Sequence, residues 1–157
     1  MNWFLAAGVG LVAGVAASGV MSAYQAATAA LFGQDEGNDD PANVKAADDV
    51  SNAATGTPVT QRHRQPAGSL VHYLTGAALG LGYVLLVAAW PSAAALFGIG
   101  FGIATALVLD DVLVPAFGWG PWPWATPLNT HLYSLTAHAV FGVALEGVRR
   151  LGLAVLT

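Results

Sequence analysis

The chain has 157 residues, of which 55% are hydrophobic and only 9% charged, with a mean hydropathy of +0.59. Soluble domains carry about 25% charged residues, so this sequence lacks the charge to cover a water-facing surface and a soluble domain is excluded first. The absence of cysteine excludes disulfide frameworks and thiolate metal sites, and a net charge of −4 without a basic stripe excludes nucleic acid as a partner.

Most of the charges lie between Asp35 and Arg64, which leaves long uncharged apolar stretches on either side. Such stretches of about 18 residues or more are the mark of membrane-spanning helices. The first runs from Met1 to Gln34 and predicts a helix over about 3–32, with Trp3 and Tyr24 at the depth of interfacial aromatics. A secretory signal peptide competes for this segment, but the basic leader is missing and the apolar run is too long.

Residues 34–67 are acidic and rich in Asn, Thr, Gly and Pro, and predict a loop outside the membrane. Within it, Asp40-Pro41 has the form of a helix start, the carboxylate capping and the proline taking the first helical position. A short surface helix over 41–53 and a solvated loop are both compatible with this composition. Residues 65–109 carry no formal charge and are long enough for two spans, divided at Trp90-Pro91-Ser92. The predicted helices cover 69–90, with Ser69 as N-cap, and 92–114. Three tryptophans interleaved with prolines in 115–127 predict a loop at headgroup level. A fourth helix is expected over 128–150, with Asn129 or Thr130 as cap. The fold class expected is an all-α integral membrane four-helix bundle, forming one domain over 1–157.

Small residues recur every four positions: Gly10, Gly14, Ser18 and Ser22, then Gly76 and Gly80, then Gly98, Gly102 and Ala106. Within membranes such lines allow close backbone approach. They leave open whether the grooves face this chain or a partner, so a homo-oligomer or a larger membrane assembly is compatible with them.

Ionisable groups at membrane depth are costly and point to function. Four spans bring His72, Asp110, Asp111 and His131 into one slab on the side of the acidic loop. Ser134, His138, Gly142 and Glu146 are spaced by four and form one stripe along the last helix. His138 lies roughly 12 Å and Glu146 roughly 24 Å along that helix. In line, these groups suggest a polar relay for protons or cations, with histidine able to exchange protons near neutral pH.

Plainer readings stand beside it. Glu146 precedes Arg149 and Arg150 by three and four residues, the spacing of a helical ion pair. His138 could be satisfied by one bond to Tyr83 or Thr75, and His72 and His131 by loops or headgroups. His72, Asp110 and His131 have acceptable ligand types for a metal but no compact ligand spacing. Two histidines from different helices could ligate haem. No cofactor is expected from any recognisable motif. GxSxG, HExxH, a P-loop and a dinucleotide fingerprint are all missing, so an enzyme is not expected.

His72 is followed ten and eleven residues later by Gly82-Tyr83, and His138 by Glu146, Arg149 and Arg150; Gly10-Leu-Val-Ala-Gly14 opens the chain. Together these motifs resemble the YagU family of small prokaryotic inner-membrane proteins, over the four helices and not the acidic loop. The resemblance implies four spans, both termini in the cytoplasm and a loose association with acid tolerance. The matching positions are His72, Tyr83, His138 and Glu146. The segment where the first helix emerges, Tyr24-Gln-Ala-Ala-Thr28, departs from the carboxylate and proline-arginine stretch of that family. Charge does not decide the orientation: Arg149 and Arg150 stand on one side, Lys45, Arg62 and Arg64 on the other.

The functional expectation is a non-enzymatic protein of the inner membrane, acting as a proton or cation relay or in acid stress. The alternatives are an accessory subunit of a larger complex and a histidine-ligated metal or haem protein.

Overall fold

The computed structural model describes residues 2–34 and 40–156; Asp35, Glu36 and Asp39 of the acidic segment fall outside them. All regular structure among the described residues is helical. Helix α1 (Trp3–Thr28) is capped by Asn2, whose side chain accepts from the backbone N–H groups of Phe4 and Leu5, and a tighter turn (Ala29–Phe32) continues it. Helix α2 (Ala42–Thr55) lies in the polar segment, α3 spans Arg64–Ala89, α4 Ile99–Val108, and α6 Leu128–Leu156. Between α4 and α6, a wide turn (Leu109–Leu113) runs into the single helical turn α5 (Val114–Ala116). Three stretches are long and apolar enough to cross a membrane: Trp3–Phe32, Gln61–Ala89 and Pro91–Ala116.

The expected boundaries change in four places. Helix α3 begins at Arg64, five residues before Ser69, so Ser69 lies inside it and caps nothing. Asp40 does not cap α2; Pro41 takes the cap position without a side-chain bond, and Asp40 pairs instead with Arg64 at 2.6 Å. The stretch expected as one helix over 92–114 is regular only in its middle. Pro91–Gly98 is a tight, irregular turn in which Leu96 and Phe97 have positive φ, at 54° and 53°. The last helix extends to Leu156, and Asn129 and Thr130 belong to its first turn rather than capping it: Asn129 donates to the Phe32 carbonyl, and Thr130 accepts from Gln34.

Helix α1 packs against both α3 and α6, and α6 packs against α4. All three pairings are antiparallel, as the glycine contacts show. Gly14 meets the backbone of Gly76, and Gly10 meets Gly80, so that a Cβ on Gly10 would stand 2.8 Å from the Gly80 carbonyl oxygen. On the other side Gly98 and Gly102 lie against the backbone of Gly142 and His138. Where backbones touch, no side chain fits between them, and this is how apolar helices gain dispersion contact without a hydrophobic driving force. The buried centre is small and aromatic by turns: Ala13, Ala17, Met21, Tyr83, Ala137, Phe141 and Leu145. Outer faces stay apolar, with Val12, Val20, Leu74, Leu107 and Val108 exposed.

The spatial order is therefore α3, α1, α6, α4, an arc rather than a closed ring. Its two ends, α3 and α4, are joined by the Pro91–Gly98 turn and bridged there by Tyr83 and Phe101, whose ring centroids are 4.7 Å apart. Away from that turn they diverge.

Candidate functional site: a polar cleft between diverging helices

The divergence of α3 and α4 opens a cleft of about 940 Å³ on the side of α2. His72 from α3, Asp110 from the wide turn after α4, and His138 from α6 all line it. All three lie inside long helical stretches, Asp110 six residues before the end of Pro91–Ala116. At about 1.5 Å per residue, His72 lies roughly 12 Å from the start of α3 and His138 roughly 15 Å from the start of α6.

His72 Nε2 is 3.2 Å from Ser22 Oγ and 3.4 Å from the Ser18 carbonyl oxygen on α1. Asp110 accepts a short hydrogen bond from Ser134 Oγ, and His138 Nδ1 is 3.6 Å from the same carboxylate oxygen. His138 Nδ1 is also 3.0 Å from the Ser134 carbonyl, the residue one turn before it, so this nitrogen is held on its own helix. The wide turn is what makes the group possible. An extra residue in the helical turn rotates the chain locally, and it carries Asp110 and Asp111 toward α6. Asp111 stands 3.5 Å from His131 Nδ1, and His131 Nε2 is 3.0 Å from the Pro123 carbonyl oxygen. That pair fastens the tryptophan-proline segment to the bundle and does not line the cleft.

The other end of the bundle carries a second group. Glu146 is fully buried and accepts four bonds. Tyr83 donates at 2.9 Å, Arg149 through Nε at 2.7 Å and Nη2 at 2.9 Å, and Arg150 through Nε at 2.5 Å. The guanidinium of Arg150 also lies 4.7 Å from the centre of the Phe97 ring. The ion pair anticipated from the three- and four-residue spacing is present, and Tyr83 adds a bond across to α3. Tyr83 thus partners Glu146, and His138 Nδ1 lies at hydrogen-bond distance from the Ser134 carbonyl with the Asp110 carboxylate at ion-pair distance.

The expected stripe therefore divides into two groups. Between His138 and Glu146 stands Gly142, whose backbone is pressed on Gly98, flanked by buried Phe141 and Leu145. Spacing by four placed Gly142 on a polar line, whereas its contribution is the close approach of α4. The metal candidates His72, Asp110 and His131 sit in three separate hydrogen-bond groups, and among the described residues no three His, Asp or Glu side chains converge on one point.

Sequence reasoning did not find the aromatic wall of the cleft: Tyr73, Phe117, Trp119, Tyr133 and Phe141. Phe117 and Trp119, stacked at 4.8 Å, were expected at headgroup level, and only their position after the wide turn brings them over the cleft. Helix α2 closes part of the mouth with Pro41, Ala42, Asn43 and Ala46. Its hold on the bundle comes from Arg64, which pairs with Asp40 at 2.6 Å and Asp48 at 2.5 Å, and from Trp119 Nε1, which donates to Asp49 at 2.6 Å.

Searches among curated proteins and solved structures find no match to this chain. One family does match, described as a protein of unknown function (DUF1440), over residues 47–147, from within α2 to one residue past Glu146. The matched span takes in His72, Tyr83, Asp110, Asp111, His131, His138 and Glu146. DUF1440 is a related family to the one the sequence motifs resemble, and like it has no assigned biochemical function. With well over half its length matched, the chain belongs to the DUF1440 family.

Proposed function

We propose that this is a non-enzymatic integral membrane protein with four spans that takes protons or cations into an intramembrane cleft. Helix α6 is the fourth span. In support, its 29 residues run antiparallel along both α1 and α4, and its His138 and Glu146 side chains are buried. An even number of spans puts both ends of the chain on one side, and the resemblance to the YagU family favours the cytoplasm of a prokaryote for that side.

The observation that carries the reading is that His72, Asp110 and His138, from three segments, line one cleft within the proposed spans. Ionisable groups at that depth are expensive unless they face a cavity or a partner. Here they face both. The cleft opens toward α2 and ends before the Tyr83–Glu146 group, so the arrangement is that of a half-passage closed at its far end. Opening would require the packing of Gly142 on Gly98 or the Tyr83 bond to give way. Alternation between such states is the ordinary behaviour of membrane bundles that move ions.

The test is flux into proteoliposomes under an imposed proton or potassium gradient, followed with a pH-sensitive or potential-sensitive dye. Transport that falls at least tenfold in Asp110→Asn and His138→Ala supports the reading. The absence of flux above empty liposomes, or flux indifferent to both substitutions, overturns it. A second reading, an accessory subunit of a larger assembly, is favoured by Gly8, Gly82 and Gly100, whose faces meet nothing within 4 Å. Mild-detergent purification from native membranes tests it, and recovery of this chain alone counts against it.

A further inference from the structure

We infer that the cleft binds an organic ammonium ion, with Asp110 as its counter-charge and the aromatic wall as the seat of its apolar part. The inference rests on the reading of the cleft as a cation site and adds the class of cation.

Three observations select that class. First, among the described residues Asp110 is the one acid lining the cleft and no Lys or Arg lines it; the nearest basic group is the His138 imidazole, 3.6 Å from one carboxylate oxygen. Asp110 accepts from Ser134 and yet keeps 39% of its side chain open, which leaves carboxylate surface facing the cleft. Second, the space is far larger than a bare ion needs, and sites of about 300–1,000 Å³ suit organic ligands. A small inorganic cation is held best by several charged oxygen ligands that replace its hydration shell, whereas among the described residues Asp110 is the one carboxylate lining the cleft. Third, five aromatic side chains line the same cleft as the carboxylate, together with Met21, Leu79 and Leu113. An ammonium carrying alkyl or aryl groups is weakly hydrated, is attracted to ring faces within about 6 Å, and buries its carbon against apolar walls. The cleft matches that combination of one positive charge and an apolar body; a hydrated metal ion would leave most of it unfilled.

Purified full-length protein in detergent micelles is titrated with benzyltrimethylammonium by calorimetry, with benzyl alcohol as the uncharged comparison and sodium chloride holding ionic strength constant. Saturable binding of the ammonium and none of the alcohol is expected. Asp110→Asn should weaken binding at least tenfold, while Asp110→Glu, which keeps the charge, should restore it to within a few-fold. Phe117→Leu, which stays apolar and removes the ring, should weaken it several-fold, and this exposed position guards against misfolding of the Asp110 variants. No saturable binding by folded protein, equal binding of the alcohol, or binding indifferent to both Asp110→Asn and Phe117→Leu overturns the inference. Proton or potassium flux that persists while benzyltrimethylammonium neither binds nor inhibits it removes the inference and leaves the cation passage standing. Ammonium binding through Asp110 without any flux upholds the inference and removes conduction.

Discussion

The Tyr83 hydroxyl donates to Glu146 Oε2 at 2.9 Å, joining α3 to α6 at the closed end of the bundle. Glu146 is also the buried partner of two guanidinium groups, of which Arg149 is 15% exposed and depends on the carboxylate, while Arg150 is 56% exposed. Removing one partner of a buried ion pair strands the other, at a cost of about 3–5 kcal/mol. Removing only a hydroxyl donor to a charged group costs about 1.5–3 kcal/mol.

Glu146→Gln should therefore destabilise the folded protein clearly more than Tyr83→Phe. Thermal unfolding in detergent, read by loss of the monodisperse peak in size-exclusion chromatography, ranks the two variants. Equal losses, or a larger one for Tyr83→Phe, would show that the tyrosine and not the carboxylate organises this end.

The glycine contacts yield a sharper contrast. A Cβ on Gly14, Gly80, Gly102 or Gly142 would overlap backbone of the facing segment, which cannot move aside as a side-chain tip can. Overpacking of this kind costs about 1–3 kcal/mol. Gly82 sits in the middle of α3 with nothing within 4 Å of where its Cβ would be. Gly14→Ala and Gly142→Ala should lower the melting temperature by several degrees, and Gly82→Ala should leave it unchanged or raise it. The same unfolding assay decides, and uniform effects across the three would argue against backbone contact as the cause.

These contacts also show what the sequence could and could not tell. Runs without charge and the Trp90-Pro91 break located the long helices, because hydropathy and helix termination are local properties. The small-residue spacing announced close packing, and Gly10, Gly14, Gly76 and Gly80 do face each other. Spacing by four puts Gly142 on the face of His138 and Glu146, but it describes a face of a helix and not what lies opposite it, here the backbone of Gly98. The wide turn at Leu109–Leu113 has no sequence signature, yet it is what brings Asp110 to Ser134 and His138. Helix α3 begins early because Arg64 is held by Asp40 and Asp48, a tertiary contact that outweighs the preference of Ser69 for a cap. Partners of Tyr83 and the aromatic wall depend on helix order, which a single sequence does not state.

Leu96 and Phe97 hold left-handed backbone conformations in succession, where L residues with a Cβ are strained by about 1–2 kcal/mol each. Phe97 has a reason to stay, the Arg150 guanidinium against its ring; Leu96 is 76% exposed. Leu96→Gly should relieve more strain than it adds in chain entropy, roughly 0.5–1 kcal/mol for glycine, and so raise the melting temperature slightly. Phe97→Gly relieves the same strain but loses the ring beneath Arg150, and should give no gain. A fall in stability for Leu96→Gly would show that this turn is held by side-chain contact and not merely tolerated.

The last expectation concerns α2 and access to the cleft. Arg64 is only 19% exposed and holds two carboxylates of the neighbouring segment, while Val44 of α2 rests against Gly68 of α3. Charge-assisted bonds of this kind contribute about 1.5–3 kcal/mol each, and they act on a helix with few other buried residues, Val44, Ala46 and Ala47. A segment with so small an apolar footing opens locally before the rest of the bundle unfolds. Arg64→Ala should therefore raise amide hydrogen exchange across residues 42–55 by about tenfold or more, the ratio that about 1.4 kcal/mol represents, and leave exchange in α1 and α6 unchanged. Because Pro41, Ala42, Asn43 and Ala46 cover part of the mouth, the same variant should speed labelling of a cysteine placed at Ser22 by a membrane-impermeant maleimide. Faster exchange in 42–55 without faster labelling would mean that α2 lies beside the cleft and does not control entry to it.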